Sequence, residues 1–189
     1  LDDMLSIAYG QDLNLGSEYL YFLAAHEAQL LGLEEIQMKY AREAIDKYNA
    51  LERKNEVMLG RSYYILEDFD MAKSLFESLL KKRPNHIFSL SKLASIAFMA
   101  GDDKLAYSFI SKIRENKNEY DFGYSSYFIA QAYAQGKKYT EAFKILGEAV
   151  KEGDVLSAID YENDPLFKEM HAMPQWVSIV NYWSDQYRN

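Results

Sequence analysis

The sequence predicts an all-α chain: an array of antiparallel helix hairpins stacked as a solenoid and closed by C-terminal capping helices. Three observations predict it. A small residue recurs at Gly60, Ala94 and Ala130, with steps of 34 and 36 residues. Apolar residues hold helical spacing between those points. Only three prolines and nine glycines interrupt 189 residues, and 49% of the chain is hydrophobic, so the array has enough apolar surface for a substantial core.

The elements follow in order. Residues 1–16 read as the tail of an earlier unit, and the start at Leu1 without a methionine predicts a segment of a longer protein. Residues 17–51 read as a degenerate unit whose "LYFLAAHEAQLLGLEEIQMKYAREAI" has a two-helix rhythm broken at "LGLEE". Three regular units span 53–86, 87–120 and 123–156. Leu59, Leu93 and Ile129 precede the small residues, and Tyr63, Ala97 and Tyr133 follow three later. Ala72, Ala106 and Ala142 come next in phase, then Phe76, Ile110 and Leu146, then Leu79, Ile113 and Ala149. Pro84, Asn118 and Asp154 end the units, and the polar "RENKNEYDFG" absorbs the two extra residues of the second step.

The phase explains Gly60. A glycine inside a helix costs roughly 1 kcal/mol against alanine. It is repaid where two helices touch, because small side chains at Gly60 and Ala72 let the backbones approach while Tyr63 and Phe76 fill the space beside them. One hairpin cannot bury both of its faces, so stacked neighbours complete the core. From Val155 the period stops, and residues 157–189 read as the cap. There Asp164 suits a helix N-cap and Pro165 its first turn. Pro174 opens a helix in which Trp176, Ile179, Val180, Trp183 and Tyr187 recur at helical spacing, a stripe predicted to cover the last hairpin.

These positions resemble the tetratricopeptide repeat, W-x2-L-G-x2-Y then A-x3-F then P over 34 residues, through Leu59, Gly60, Tyr63, Ala72, Phe76 and Pro84. Glu56 stands where the family has tryptophan. The resemblance implies a right-handed superhelix whose first helices line a concave face. On that face it places Lys54, Val57, Arg61, Tyr64 and Ile65, then Phe88, Ser91, Ser95, Phe98 and Met99, then Tyr124, Tyr127, Gln131, Ala134 and Gln135. Lys54, Arg61, Tyr64, Phe88, Phe98, Met99, Tyr124, Tyr127 and Gln131 are the partner-binding candidates, with the aromatic, methionine and arginine content of a protein interface. The lysine and asparagine clamp by which chaperone-binding members hold a terminal carboxylate is replaced here by Val57, Arg61, Lys92, Tyr124 and Phe128, so chaperone tails are not the expected ligand. Asp164, Pro165, Phe167, Met170, Pro174 and Trp176 also resemble a D-P-x-F-x-x-L-R-x-x-P-x-F segment that closes such arrays in bacterial signalling and transcription-regulatory proteins. His171 replaces its arginine and Met173 an acidic residue.

The remaining chemistry is sparse. A net charge of −8 and a pI near 5.0 argue against nucleic acid. The basic "KKRPNH" reads as a helix end, where cations suit the dipole. Cysteine is absent, which excludes disulfides and thiol chemistry and fits a reducing cytoplasm; a periplasmic setting goes with a membrane-anchored parent. No stretch reaches the ~20 apolar residues of a membrane span, and no signal peptide is visible. His26-Glu27 begins an H-E-x-x-H that fails at Leu30, and His26, His86 and His171 lie in different units, so no metal or cofactor is expected. The pairs Asp2-Asp3, Glu34-Glu35 and Asp102-Asp103 read as solvated helix starts, since neighbours on a helix do not face each other. The sequence therefore predicts no enzyme but a non-catalytic protein-interaction or scaffold module of a larger bacterial regulator. Its partner would be a protein or peptide, a second copy, or another domain of the same chain. The alternative is a sensor whose groove binds a peptide or small ligand.

Overall fold

A computed structural model of the protein describes residues 17–52, 55–118, 120–153 and 158–179. All regular structure among them is helical. The elements are α1 (Ser17–Leu30), α2 (Glu34–Ala50), α3 (Glu56–Ile65), α4 (Phe69–Lys82), α5 (Ile87–Met99), α6 (Asp103–Glu115), α7 (Tyr124–Gln135), α8 (Tyr139–Glu152), α9 (Ala158–Asn163) and a 3-10 helix, Pro165–Met170. A final helical stretch covers residues 174–179. The expected leading tail, Lys54, and the stripe residues Val180, Trp183 and Tyr187 lie outside the described residues.

The helices pack as consecutive pairs: α1 with α2, α3 with α4, α5 with α6, and α7 with α8. Two compact units divide between Lys82 and Arg83. In the first, α3 also packs on α1 and α2. In the second, α5 packs on α7, α7 meets the 3-10 helix, and that helix meets α9.

One turn closes all four hairpins. At the end of each first helix a residue takes a left-handed backbone: Gly32 at φ 68°, Glu67 at 59°, Gly101 at 77° and Lys137 at 56°. The amide one residue further on donates back across the turn, Leu33 to Ala28, Asp68 to Tyr63, Asp102 to Ala97 and Lys138 to Tyr133, at 2.8 to 3.0 Å. This is the Schellman closure, which satisfies carbonyls that the helix end leaves over. The "LGLEE" that interrupts the first unit's rhythm is this same turn, so residues 17–50 form a hairpin like the rest.

The phased positions are the core. Leu59, Leu93 and Ile129 are buried, as are Ala72, Ala106 and Ala142, Phe76, Ile110 and Leu146, and Leu79, Ile113 and Ala149. Gly60 lies against α4: a Cβ there would stand 2.6 Å from Cε1 of the Phe76 ring, which is itself fully buried. Glu56 substitutes polar contacts for the missing tryptophan, accepting from Ser78 Oγ at 2.9 Å and Lys82 Nζ at 2.7 Å on the paired helix. Those two hydrogen bonds, Lys82's first, hold its carboxyl below the usual range.

Three helix starts are capped by side chains that accept backbone N–H groups. Asn55 accepts from Met58 N at 3.2 Å, Asp102 from Leu105 N at 2.9 Å, and His86 Nδ1 from Ser89 N at 3.3 Å. Asp102 thus has a structural role, while Asp103 pairs with Lys138 at 2.6 Å.

Candidate interaction surface

The first helices of the hairpins carry the candidate residues, and the structure sorts them by what covers them. In the first unit, the Arg61 guanidinium lies 4.5 Å from the centroid of the Phe22 ring on α1. A cation over an aromatic face is favoured by the ring quadrupole. Tyr64 is buried, edge-on to Phe69 and tilted against Phe76, both of α4. Tyr48 is buried beside this group with its hydroxyl unpartnered, and burial pushes that hydroxyl's pKa far up.

In the second unit, α5 and α7 bring Phe88, Phe128 and Tyr124 into one aromatic group. Phe128 takes Phe88 edge-on at 5.5 Å and Tyr124 edge-on at 4.6 Å. Tyr124 is 42% exposed and Phe88 half-buried, so this group reaches the surface. Met99, at the far end of α5, is 41% exposed. Phe98 belongs to a separate aromatic set with Tyr107 and Tyr133, and Gly136 lets the chain approach it closely.

Tyr127 and Gln131 are held in a buried polar chain. Lys92 Nζ on α5 donates to Gln131 Oε1 at 3.0 Å, and Gln131 Nε2 donates to Asp164 Oδ2 at 2.6 Å. The Tyr127 hydroxyl donates to the same carboxylate oxygen. Asp164 Oδ1 meanwhile accepts from Leu166 N at 2.9 Å and caps the 3-10 helix. The glutamine amide is oriented by its neighbours, its oxygen to the ammonium and its nitrogen to the carboxylate, and so links two buried charges. Below this chain Phe167 packs edge-on against Tyr127 and tilted against Trp176, with Phe167 and Met170 fully buried.

The expected outward projection is therefore corrected at four of the nine partner-binding candidates. Tyr64 and Phe98 are covered by their paired helices and by aromatic neighbours, and Tyr127 and Gln131 by the Asp164 segment. Helical phase identifies the face a residue occupies; it does not show what lies on that face. Arg61, Phe88, Met99 and Tyr124 keep full or partial exposure, and Lys54 lies outside the described residues. Lys92, Phe128 and Asp164 complete the arrangement. The first two are legible as residues facing the same side of α5 and α7, but only tertiary contact shows that Asp164 joins them.

Among the described residues, no three His, Asp or Glu side chains group as a metal site would require. No helix among them is long and apolar enough to cross a membrane.

Residues 56–86, the α3–α4 hairpin and the turn after it, match the family model of the tetratricopeptide repeat. No curated protein and no solved structure gives a significant match. The fold is thus an all-α repeat of packed helix pairs similar to tetratricopeptide hairpins. Repeats of that kind typically serve protein–protein interaction without catalysis.

Proposed function

We propose that the chain is a protein-interaction module that presents first-helix side chains to a protein or peptide partner. In the second unit the presented set is Tyr124, Phe88 and Met99; in the first it is Arg61, with Lys54 from the sequence. The observation that carries the reading is the Phe88–Phe128–Tyr124 group, in which two buried or half-buried rings hold a third partly in solvent. Rigid aromatic side chains presented in this way lose little entropy when a partner covers them. The resemblance of the closing segment to that of bacterial regulators supports a signalling or transcription-regulatory parent. The repeat boundaries at 53–86, 87–120 and 123–156, and the cap at 157–189, belong to the same proposal.

The test is affinity capture from the source cell with the wild type and a Tyr124→Ala/Met99→Ala variant, matched for helicity and thermal midpoint. The expected result is a partner retained by the first and at least tenfold depleted with the second, the cost of a hot-spot pair at about 1.4 kcal/mol or more. Equal recovery with both proteins would move the site elsewhere.

A further inference from the structure

We propose that His171 makes the seating of the closing segment on α7 responsive to pH, with the neutral imidazole as the form the segment accepts. The ring lies 4.2 Å from that of Trp176 between centroids, at 36°. Trp176 is buried and packs on Phe167, which is fully buried against Tyr127 of α7. His171 Nε2 is itself buried without a hydrogen-bond partner. Protonation places a charged N–H at that atom with no acceptor to receive it, and an unmet buried donor is most costly when charged.

The charged groups around the ring do not remove that cost. Glu162 on α9 and Asp164 at the head of the 3-10 helix both favour the imidazolium, but desolvation outweighs them and lowers the pKa from its ordinary 6.5. Asp164 is already engaged by Tyr127, Gln131 and Leu166 N, the first two being what α7 contributes. On the 3-10 helix itself, Lys168 and Glu169 are exposed, and Glu169 accepts the Tyr139 hydroxyl from α8. Residues 174–179 carry no charge.

The sign follows. Because the seated ring binds its proton less readily than a free one, the released segment takes up more protons as pH falls below 6.5. Seating is complete above that value and weakens down to the lowered pKa, below which it weakens no further.

The test is hydrogen exchange on the full chain from about pH 5 to about pH 8, the range in which histidine titrates, corrected for intrinsic rates. A His86→Asn background removes the other histidine whose pKa burial lowers, while keeping a capping side chain. Protection of residues 165–176 is expected to fall on acidification through the range in which histidine titrates. His171→Phe keeps the stacked ring and should flatten the profile. An unchanged profile in His171→Phe overturns the proposal. So does protection that rises on acidification, the signature of an imidazolium held by Trp176 and the two carboxylates. If His171→Phe fails to fold, NMR titration of the His171 ring decides in its place: a midpoint below 6.5 supports the proposal, and one at or above it overturns it.

Discussion

At Gly60 one hydrogen atom decides whether two helices can meet. Alanine there gains helix propensity, about 1 kcal/mol. Its methyl, however, lands 2.6 Å from Cε1 of the fully buried Phe76 ring, which must then shift. Overpacking of this kind costs ~1–3 kcal/mol, so Gly60→Ala should be destabilising on balance despite the propensity gain. Phe76→Leu in the same chain should recover part of the loss, because the shorter side chain vacates the clash. Urea unfolding of the single and double variants measures both, and a Gly60→Ala protein more stable than wild type would remove the close contact from the account. This position is legible in the sequence, since a mid-helix glycine in phase with alanines marks a place where two backbones approach. Glu56 is not. Its departure from the family's tryptophan reads as a lost contact, whereas the structure joins it to Ser78 and Lys82. With Lys82 largely solvated, an exchange of that sort contributes little, about 0.5 kcal/mol for an exposed pair.

At the scale of elements, the hairpins and the closing segment are legible to different degrees. Hairpin periods appear in the sequence because every core position repeats. The first hairpin reads as broken only because Gly32, its turn residue, falls between two leucines and so passes for a gap in an apolar run. The left-handed Glu67 and Lys137 leave no sequence signal at all, since the turn imposes its conformation on whatever residue occupies it. The closing segment reads as a cap that begins with Asp164, and its N-cap bond is present. Its partners on α7 cannot be read, because contacts across ~35 residues leave no periodicity. Asp164→Ala should therefore cost more than a lost cap, which is typically ~1 kcal/mol. It also removes the shared acceptor of the Tyr127 hydroxyl and the Gln131 amide, and a hydrogen bond to a charged group contributes ~1.5–3 kcal/mol. We expect a total of at least about 3 kcal/mol by denaturant titration. Tyr127→Phe in the same background should be far less than additive, since the two side chains share one bond. A loss below about 1 kcal/mol, less than the cap alone, would show that the polar chain is not what holds the segment.

For the molecule as a whole, composition and period are enough to read a helical repeat with a protein partner as its expected business, and the match at residues 56–86 supports that reading. The surface is harder. Nine side chains share a predicted face, yet Tyr64, Phe98, Tyr127 and Gln131 are consumed by the fold and Lys54 lies outside the described residues, so Tyr124, Met99, Phe88 and Arg61 remain as candidates with exposed surface. The fold thus separates side chains that build the repeat from those proposed to meet a partner. Site-directed photo-crosslinking in the source cell tests it most directly, with a benzophenone side chain placed in turn at Tyr124, at Met99 and at Ser111, an exposed position on α6. The account predicts one discrete protein adduct shared by the Tyr124 and Met99 positions and missing at Ser111. Adducts at Ser111 alone, or an identical pattern at all three, would contradict it.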